Sequence, residues 1–555
     1  MMSLNKRASL VWSGLLAAAL IASGCSSGNG ETSSPSGSVS EGGTASAKAA
    51  GGAYNLGEKP LSFSFYGHYD WYTMPNWGED EASKWIKANK KVDVVPVSSG
   101  GNAAQKLSTM IVSGELPDVI WMERGADVEK LREAGMLVAF DDYFEKYPNL
   151  KKWAGESTLE MLRSPDGKIY QFPNWYTTQP NGNAGYLVNK KIYNDLGAPK
   201  LETTEDLYSY LKLVKEKYPN VIPFEGGQKA EAITVLSSAF AENHPYDFSS
   251  VAMLASPKGD KLASVFEDEA FREGVAFGSR LYREKLMSAD TFTQPLDQVE
   301  QNIVTGKVAV YAASSPTEFG AIGNSLLKAE DPDAGYIMIW PVHKEGLDKN
   351  KIFTGSYNQL GWNVSVITKK AKDPEAIFAF LDWMTGPEGQ RVIMWGPPGL
   401  YWDGTDEEEK PKFTDKFTSD TKGRDKLMND TVNLQWVGNT VYVDNAKMKF
   451  ESTLPEDLKS WETKWQSEIT WKTQFNTTAY VNLDPAGDSP EGIVAQSVKE
   501  IYEKAFAQAI LNGKSDEDVY AILDKANADA KSVGYDKLLA FKTKKWQENQ
   551  SKLQK

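Results

Sequence analysis

The chain has 555 residues, with 61 basic and 75 acidic side chains, a formal net charge of −14, three histidines and one cysteine. A single cysteine excludes an internal disulfide and a cysteine-ligated zinc site, and three histidines argue against a multi-histidine metal centre. The acidic balance argues against nucleic acid as a partner, because binding to phosphates requires clusters of Lys and Arg. The length exceeds what one hydrophobic core usually holds, so we expect at least two domains.

The N-terminal region predicts export and a lipid anchor. The apolar stretch Leu10 to Ala22 is too short to span a bilayer comfortably and is typical of a signal peptide, assigned to residues 1–24. The run IASGC resembles a bacterial lipobox, which predicts that Cys25 is lipidated; a free thiol is the alternative. Residues 25–57, rich in Ser and Gly, should form a flexible tether. We therefore expect a protein anchored on the extracytoplasmic face of the cell membrane, on a Gram-positive cell surface.

The hydrophobic pattern after the tether alternates between strands and helices. Strands are predicted at Leu61–Tyr66, Val92–Val97 and Asp118–Met122, and helices at Gly78–Asn89, Ala103–Val112 and Ala126–Ala134. This order predicts a parallel sheet with right-handed crossovers. In such sheets, ligands bind beyond the carboxyl ends of the strands.

Aromatic and polar side chains follow two of these predicted strands. Tyr69, Asp70 and Trp71 come after the first strand, and we predict that they contact a ligand. Glu123 and Arg124 directly follow the third strand and could bond to ligand hydroxyls; a mutual salt bridge is the alternative. Core residues seldom occur as a run of polar and aromatic side chains, which favours the ligand interpretation of the first group.

The segments GKIYQFPNW at 167–175 and YLVNKKIYNDLG at 186–197 resemble a crossover segment of the family 1 extracellular solute-binding proteins. These are lipoproteins that supply oligosaccharides to ABC importers and are related in fold to maltose-binding protein. Further matches are TTEDL at 203–207, GKVAV at 306–310, DPEA at 373–376, TGPEGQ at 385–390 and GPPG at 396–399. The matches follow the family order over roughly residues 61–401.

The resemblance implies an α/β fold with two lobes of the periplasmic-binding-protein type II kind, an interlobe hinge and a helical C-terminal tail. The expected division is residues 58–175 for the first part of lobe 1, 176–354 for the first part of lobe 2, 355–400 for the return to lobe 1, and 401–555 for a helical region mostly in lobe 2. It also implies a monomer without a cofactor that captures a carbohydrate, expected to be an oligosaccharide, and delivers it to the permease subunits of an ABC transporter.

Further ligand candidates lie on the predicted crossovers. Aromatic rings suit the apolar C–H face of a pyranose, and polar side chains satisfy its hydroxyls. The candidates chosen on this basis are Trp175 and Tyr176 at the predicted hinge, Tyr357, Asn358 and Trp362 on the return crossover, and Trp395 before the Gly-Pro-Pro-Gly turn. Trp121, Trp461, Trp465 and Trp471 are interpreted as packing residues.

Two alternatives remain at the level of sequence. After the tether, the chain lacks the nucleophile-elbow, P-loop, zinc-protease and calcium-loop motifs, so no catalytic residue and no metal ligand are assigned. Carboxylates are nevertheless numerous enough for a surface-anchored glycosidase or lyase with paired acids, because the spacing of such a pair is three-dimensional. Within the binding interpretation, a peptide is the alternative ligand.

Overall fold

The computed structural model describes residues 53–244, 253–455, 458–487 and 489–554; the predicted signal peptide, Cys25 and most of the tether lie outside them. The strands are β1 Leu61–Gly67, β2 Val92–Val97, β3 Val119–Met122, β4 Phe172–Asn174, β5 Gly185–Asn189, β6 Ile222–Glu225, β7 Ala255–Lys258, β8 Lys261–Ser264, β9 Val308–Ala313, β10 Tyr336–Ile339, β11 Gly355–Tyr357, β12 Asn363–Ile367, β13 Trp402–Thr405, β14 Pro411–Phe413 and β15 Gln474–Asn476.

The α-helices are α1 Glu81–Lys90, α2 Ala103–Ser113, α3 Ala126–Glu133, α4 Asn149–Met161, α5 Lys190–Asp195, α6 Thr204–Lys217, α7 Glu231–Ser237, α8 Glu269–Arg283, α9 Leu296–Val304, α10 Pro316–Glu330, α11 Pro374–Thr385, α12 Pro387–Trp395, α13 Asp415–Ser419, α14 Thr421–Thr431, α15 Thr440–Glu451, α16 Trp461–Glu468, α17 Pro490–Asn512, α18 Asp516–Ser532 and α19 Tyr535–Leu553. No helix in these described ranges combines the length and the apolar character needed to span a bilayer.

The first lobe is built on a five-stranded sheet with the order β2-β1-β3-β12-β4. Strand β1 runs parallel to β2 and β3, as the alternation of strands and helices predicts. Strand β12 returns from much later in the chain and pairs antiparallel with both β3 and β4. All five residues of β12 are buried, since helices cover the sheet.

The second lobe is built on a four-stranded sheet with the order β10-β5-β9-β6. Strand β5 is antiparallel to β10 and β9, whereas β6 and β9 are parallel. The sheets of the two lobes are separate, and each lies beside its own buried hydrophobic core. The predicted two-lobed α/β fold is therefore confirmed.

Side-chain caps set the start of several helices. Thr203 accepts a hydrogen bond from the backbone of Asp206, and the Asp206 carboxylate accepts one from the backbone of Thr203, which forms a capping box. Asp80 caps α1 by accepting from Ala82 and Ser83. The acidic group at residues 79–81 therefore lies at a helix start, and Asp80 itself is buried.

The C-terminal third of the chain is divided between the two cores. Trp402, Trp436 and Ala446 belong to the first core, whereas the stretch from Leu483 to Trp546 contributes to the second core. The expectation that residues 401–555 lie mostly in lobe 2 therefore describes the later helices only. The chain crosses between the cores after β4, after β10 and after α15.

The folded body begins earlier than the predicted tether boundary at residue 57. The backbone N–H of Tyr54 donates to the hydroxyl of Tyr147 at 2.6 Å, and the hydroxyl of Tyr54 donates to the carbonyl of Lys59 at 2.9 Å. Tyr54 and Leu56 also pack against the first core. These contacts fix the last residues of the segment that the Ser- and Gly-rich composition assigned to a tether.

A buried carboxylate joins two helices of the first lobe. Asp382, in α11, accepts hydrogen bonds from the backbone of Leu150 at 2.8 Å and from the side chain of Asn149 at 3.0 Å, at the start of α4. Burial raises the pKa of Asp382 to about 6, although the hydrogen bonds from Leu150 and Asn149 oppose the shift. The carboxylate thus replaces a side-chain cap, which α4 lacks at Pro148.

We expect Asp382→Ala to lower the free energy of unfolding by about 2 kcal/mol, because the N-terminal donors of α4 lose their acceptor. Urea denaturation measures the change. Asp93→Ala is the matched control: its exposed ion pair with Lys87 should contribute less than about 1 kcal/mol. Equal losses in the two variants would contradict the capping role.

Candidate functional site

Several strand ends of the first sheet meet at one edge. β1 and β3 end there because they are parallel, and β12 begins there because it is antiparallel to β3. In the register, Val364 faces Met122, and Asn363 faces Asn174 at the end of β4. The loops that follow β1 and β3 and the loop that precedes β12 therefore converge.

Four aromatic rings form a cluster at this edge, here called the aromatic platform: Tyr69, Trp71, Trp121 and Trp362. The ring centroid of Tyr69 lies 5.2 Å from Trp71, 5.0 Å from Trp121 and 5.6 Å from Trp362. Trp121 also meets Trp362 edge-on at 5.3 Å and Trp71 at 6.3 Å. Tilted and edge-to-face contacts of this kind are the favoured geometries for aromatic pairs.

The platform presents two tryptophans to solvent above a buried one. Trp71 is 60% exposed and Trp362 is 40% exposed, whereas Trp121 is 4% exposed. Trp121 is therefore a packing residue, as predicted, but the packing supports the exposed rings. Neighbouring exposed tryptophans at the end of a sheet are uncommon on soluble proteins and are typical of binding surfaces.

A buried asparagine holds the platform together. Asn363 accepts hydrogen bonds from Trp121 Nε1 at 2.9 Å and from Asn174 Nδ2 at 3.0 Å. Its own Nδ2 donates to the hydroxyl of Tyr69 at 3.0 Å. Asn363 and Asn174 are both fully buried, so these bonds form without competition from water.

Asn363 is not among the site residues predicted from the sequence. The available signal was an amide directly after Trp362 at the start of a mainly apolar strand, since a buried polar side chain requires partners. Those partners, Trp121 and Asn174, are distant in the sequence, so the pattern around Asn363 alone did not reveal them.

Glu123 and Arg124 lie beside the platform but do not bond to each other. The hydroxyl of Tyr69 donates to Glu123 Oε1 at 3.2 Å, and Arg124 Nη1 donates to the carbonyl of Leu360 at 3.1 Å. Desolvation raises the pKa of Glu123 and lowers the pKa of Arg124 to about 10, while attraction between the two charges opposes both shifts. The buried Nε of Arg124 has no partner among the described residues.

The predicted hinge residue Trp175 adopts a left-handed backbone conformation, with φ of 56°. Its N–H donates to the carbonyl of Gly438 at 2.9 Å, and its ring lies against the Cα of Gly438. Gly361 packs so tightly against the backbone of Asn174 that a Cβ would overlap with it. Both glycines are therefore required for the close approach of three chain segments at Trp175.

Two predicted ligand contacts are wrong in this structure. Tyr176 is fully buried, and its hydroxyl lies 2.6 Å from the hydroxyl of Thr385. Trp395 is buried and packs edge-on against Phe413 at 5.0 Å. Both side chains belong to the first core, whereas Trp175 is only partly buried against it.

Three further candidates have local contacts of their own. Asp70 is exposed, but one carboxylate oxygen accepts from the backbone of Ala103 at 2.7 Å, at the start of α2. Tyr357 is half-buried in β11, which pairs with β15, and Asn358 accepts from the backbone of Leu360 in the loop that leads to Trp362. Ligand contact by these three residues stays a prediction.

We expect Asn363→Ala to lower the free energy of unfolding by at least about 3 kcal/mol, because two buried donors lose their acceptor and Tyr69 loses a donor. Ser365→Ala is a matched control on the same strand. Ser365 is also fully buried, but its hydroxyl has no partner among the described residues, so its removal should change stability by less than about 1 kcal/mol. Urea denaturation followed by tryptophan fluorescence measures both; similar losses would contradict the organising role of Asn363.

Comparisons with known proteins agree on the fold. A solved extracellular solute-binding protein from Bifidobacterium longum subsp. infantis superposes with a TM-score of 0.66 at 18% identity, over 90% of this chain and 100% of that chain. The Streptococcus pneumoniae ABC-transporter substrate-binding protein FusA, solved in complex with kestose, gives a TM-score of 0.64 at 18% identity, over 88% of this chain and 99% of that one. Proteins this different in sequence establish a common fold.

A sequence relative is lipoprotein LipO of Bacillus subtilis (strain 168), which is 23% identical over 328 residues. The aligned region covers 58% of this chain and 62% of that relative. Residues 39–391, more than half of this chain, match the family described as bacterial extracellular solute-binding protein. The chain belongs to the bacterial extracellular solute-binding protein family.

Proposed function

We propose that this protein is the carbohydrate-binding component of an ABC importer, and that it captures an oligosaccharide between its lobes and delivers it to a membrane permease. The observation that carries the proposal is the aromatic platform, with Trp71 and Trp362 exposed at the edge of the first sheet. The complex of the similarly folded FusA with kestose supports a carbohydrate as the ligand class.

The chemistry of the platform suits a sugar better than a peptide or an ion. The C–H groups on one face of a pyranose or furanose ring pack against an aromatic face, while the hydroxyls at the ring edge need donors and acceptors. Glu123 and Arg124 stand at the border of the platform, where they provide an acceptor and donors of this kind. Because both groups are already partly desolvated in the free protein, additional hydrogen bonds to ligand hydroxyls are favourable.

Closure of the lobes would couple capture to delivery. A ligand that contacts both lobes only in the closed state shifts the population towards that state. To convert a mostly open protein into a mostly closed one, the ligand must prefer the closed form by about 10⁴-fold, or about 5.5 kcal/mol. Stacking on exposed tryptophans and pairing of desolvated polar groups together can supply a preference of this size.

We expect Trp362→Ala to weaken oligosaccharide binding at least tenfold, because the substitution removes one of the two exposed stacking surfaces. Isothermal calorimetry measures the affinity for the glycan that gives the largest thermal shift in a panel of neutral oligosaccharides. Trp85→Ala is the control. Trp85 lies in α1 and stacks on Trp383, so the substitution should affect stability without changing affinity. Unchanged affinity in Trp362→Ala would remove the platform from the site.

We also propose that the protein binds the oligosaccharide without cleaving it. We expect incubation with the same panel to raise the melting temperature while releasing no reducing ends, since a bound ligand stabilises the folded state. A reducing-end assay after prolonged incubation provides the measurement. Released reducing ends would instead support the glycosidase or lyase hypothesis.

We also propose that lipidation of Cys25 holds the protein on the extracytoplasmic face of the membrane. Replacement by Cys25→Ser should abolish lipid incorporation and move the protein from the membrane fraction to the medium, because no other thiol is available. Ser26→Ala serves as the control and should remain with the membrane. Intact-mass spectrometry and cell fractionation measure the outcome; continued membrane association of Cys25→Ser would contradict the anchor.

A further inference from the structure

A second concave surface runs between the lobes, beside the aromatic platform. This side groove has a volume of about 940 Å³. One wall comes from α3 and the end of α4, which pack on the first core, and the other comes from residues 482–487 and α19. Volumes of this size are typical of ligand sites in proteins. An occupant of the groove would contact elements of both lobes.

The charged side chains of the groove are largely paired with one another or with neighbours. Arg163 bonds to Glu160 at 3.2 Å, and Lys545 bonds to Glu548 at 3.4 Å. Asp484 forms an ion pair with Lys542, with 2.7 Å between Asp484 Oδ1 and Lys542 Nζ. Paired charges leave little net field in the groove, which suits a neutral, polar ligand better than an ion.

The groove also contains a buried acceptor that lacks a donor. Gln171 lines the groove and is only 6% exposed. Its amide nitrogen donates to the carbonyl of Leu162 at 3.4 Å, whereas its Oε1 has no partner among the described residues. An unpaired buried acceptor costs about 1 to 3 kcal/mol. A ligand hydroxyl that donates to this oxygen would recover that cost.

The platform and the groove share one loop. Glu123 and Arg124 border the platform, and the next residue, Gly125, lines the groove. Two consecutive peptide units span at most about 7 Å, so the Cα atoms of Glu123 and Gly125 are no further apart than this. The loop that borders the platform therefore continues directly into the wall of the groove.

We propose that the side groove is a second subsite, which takes the further units of a neutral oligosaccharide whose first unit stacks on the platform. The inference rests on the proposed function and adds a chain-length preference to it. The hydroxyls of the further units donate to Gln171 Oε1, and the same units contact residues 482–487 across the groove. Longer glycans therefore hold the two lobes together more strongly than short ones.

The test compares short and long members of three neutral series: sucrose with nystose, maltose with maltohexaose, and mannobiose with mannopentaose. Ala486→Trp places a large side chain in the groove from an exposed loop position, so folding should be unaffected. We expect it to weaken binding of the long member at least tenfold and to change binding of the short member less than twofold. Gln171→Met, which removes the acceptor at similar volume, should reduce affinity for the long member three- to tenfold.

Ala528→Trp is the matched control, on an exposed face of α18 outside the groove, and should leave both affinities unchanged. Calorimetry gives the affinities and thermal melts verify folding. If wild type binds both lengths equally, or if Ala486→Trp affects them equally, the subsite is overturned while the platform stands. If no member of any series binds wild type, the proposed function itself fails, and the subsite with it.

Discussion

The buried amide pair of Asn174 and Asn363 is the interaction on which the candidate site depends. It joins the last residue of β4 to the first residue of β12, and through Trp121 and Tyr69 it fixes the rings of the platform. Asn174 also accepts a hydrogen bond from the backbone of Gly438, next to the peptide of Trp175. One polar network therefore ties the proposed stacking surface to the point where the chain leaves the first lobe. Such networks are stabilising only when every member is satisfied.

The local features of the fold were predictable because they depend on near neighbours. The early strands and helices match their predicted positions within a few residues, and the Thr203 capping box lies within four consecutive residues. The candidate site was only partly predictable. Tyr69 and Trp71 lie at the carboxyl end of a strand, as the predicted parallel sheet implied. Trp362, predicted only as a residue of the return crossover, joins them because β12 is antiparallel to β3.

The errors arose where partners lie far apart in the chain. Tyr176 looked like a cleft residue because it follows Trp175, but its hydroxyl pairs with Thr385, and nothing near residue 176 indicates that contact. Trp395 was assigned from a turn motif, whereas its surroundings come from a later hairpin that contains Phe413. Asn363 was missed for the same reason. Aromatic composition identifies candidates for stacking, but the number of partners around each ring decides whether it faces solvent or core.

The close packing of Gly438 on Trp175 has a mechanical consequence. The N–H of Trp175 is bonded to Gly438, and Tyr176 forms a β-bridge with Asn439 directly before α15. A rotation of the lobes therefore has to be absorbed after residue 176 on the first of the three crossovers and after α15 on the last. The rigid bodies therefore do not follow the order of the sequence. A segment from the last quarter of the chain moves with the first lobe, and the residues at the pivot are more than two hundred and fifty positions apart in the sequence.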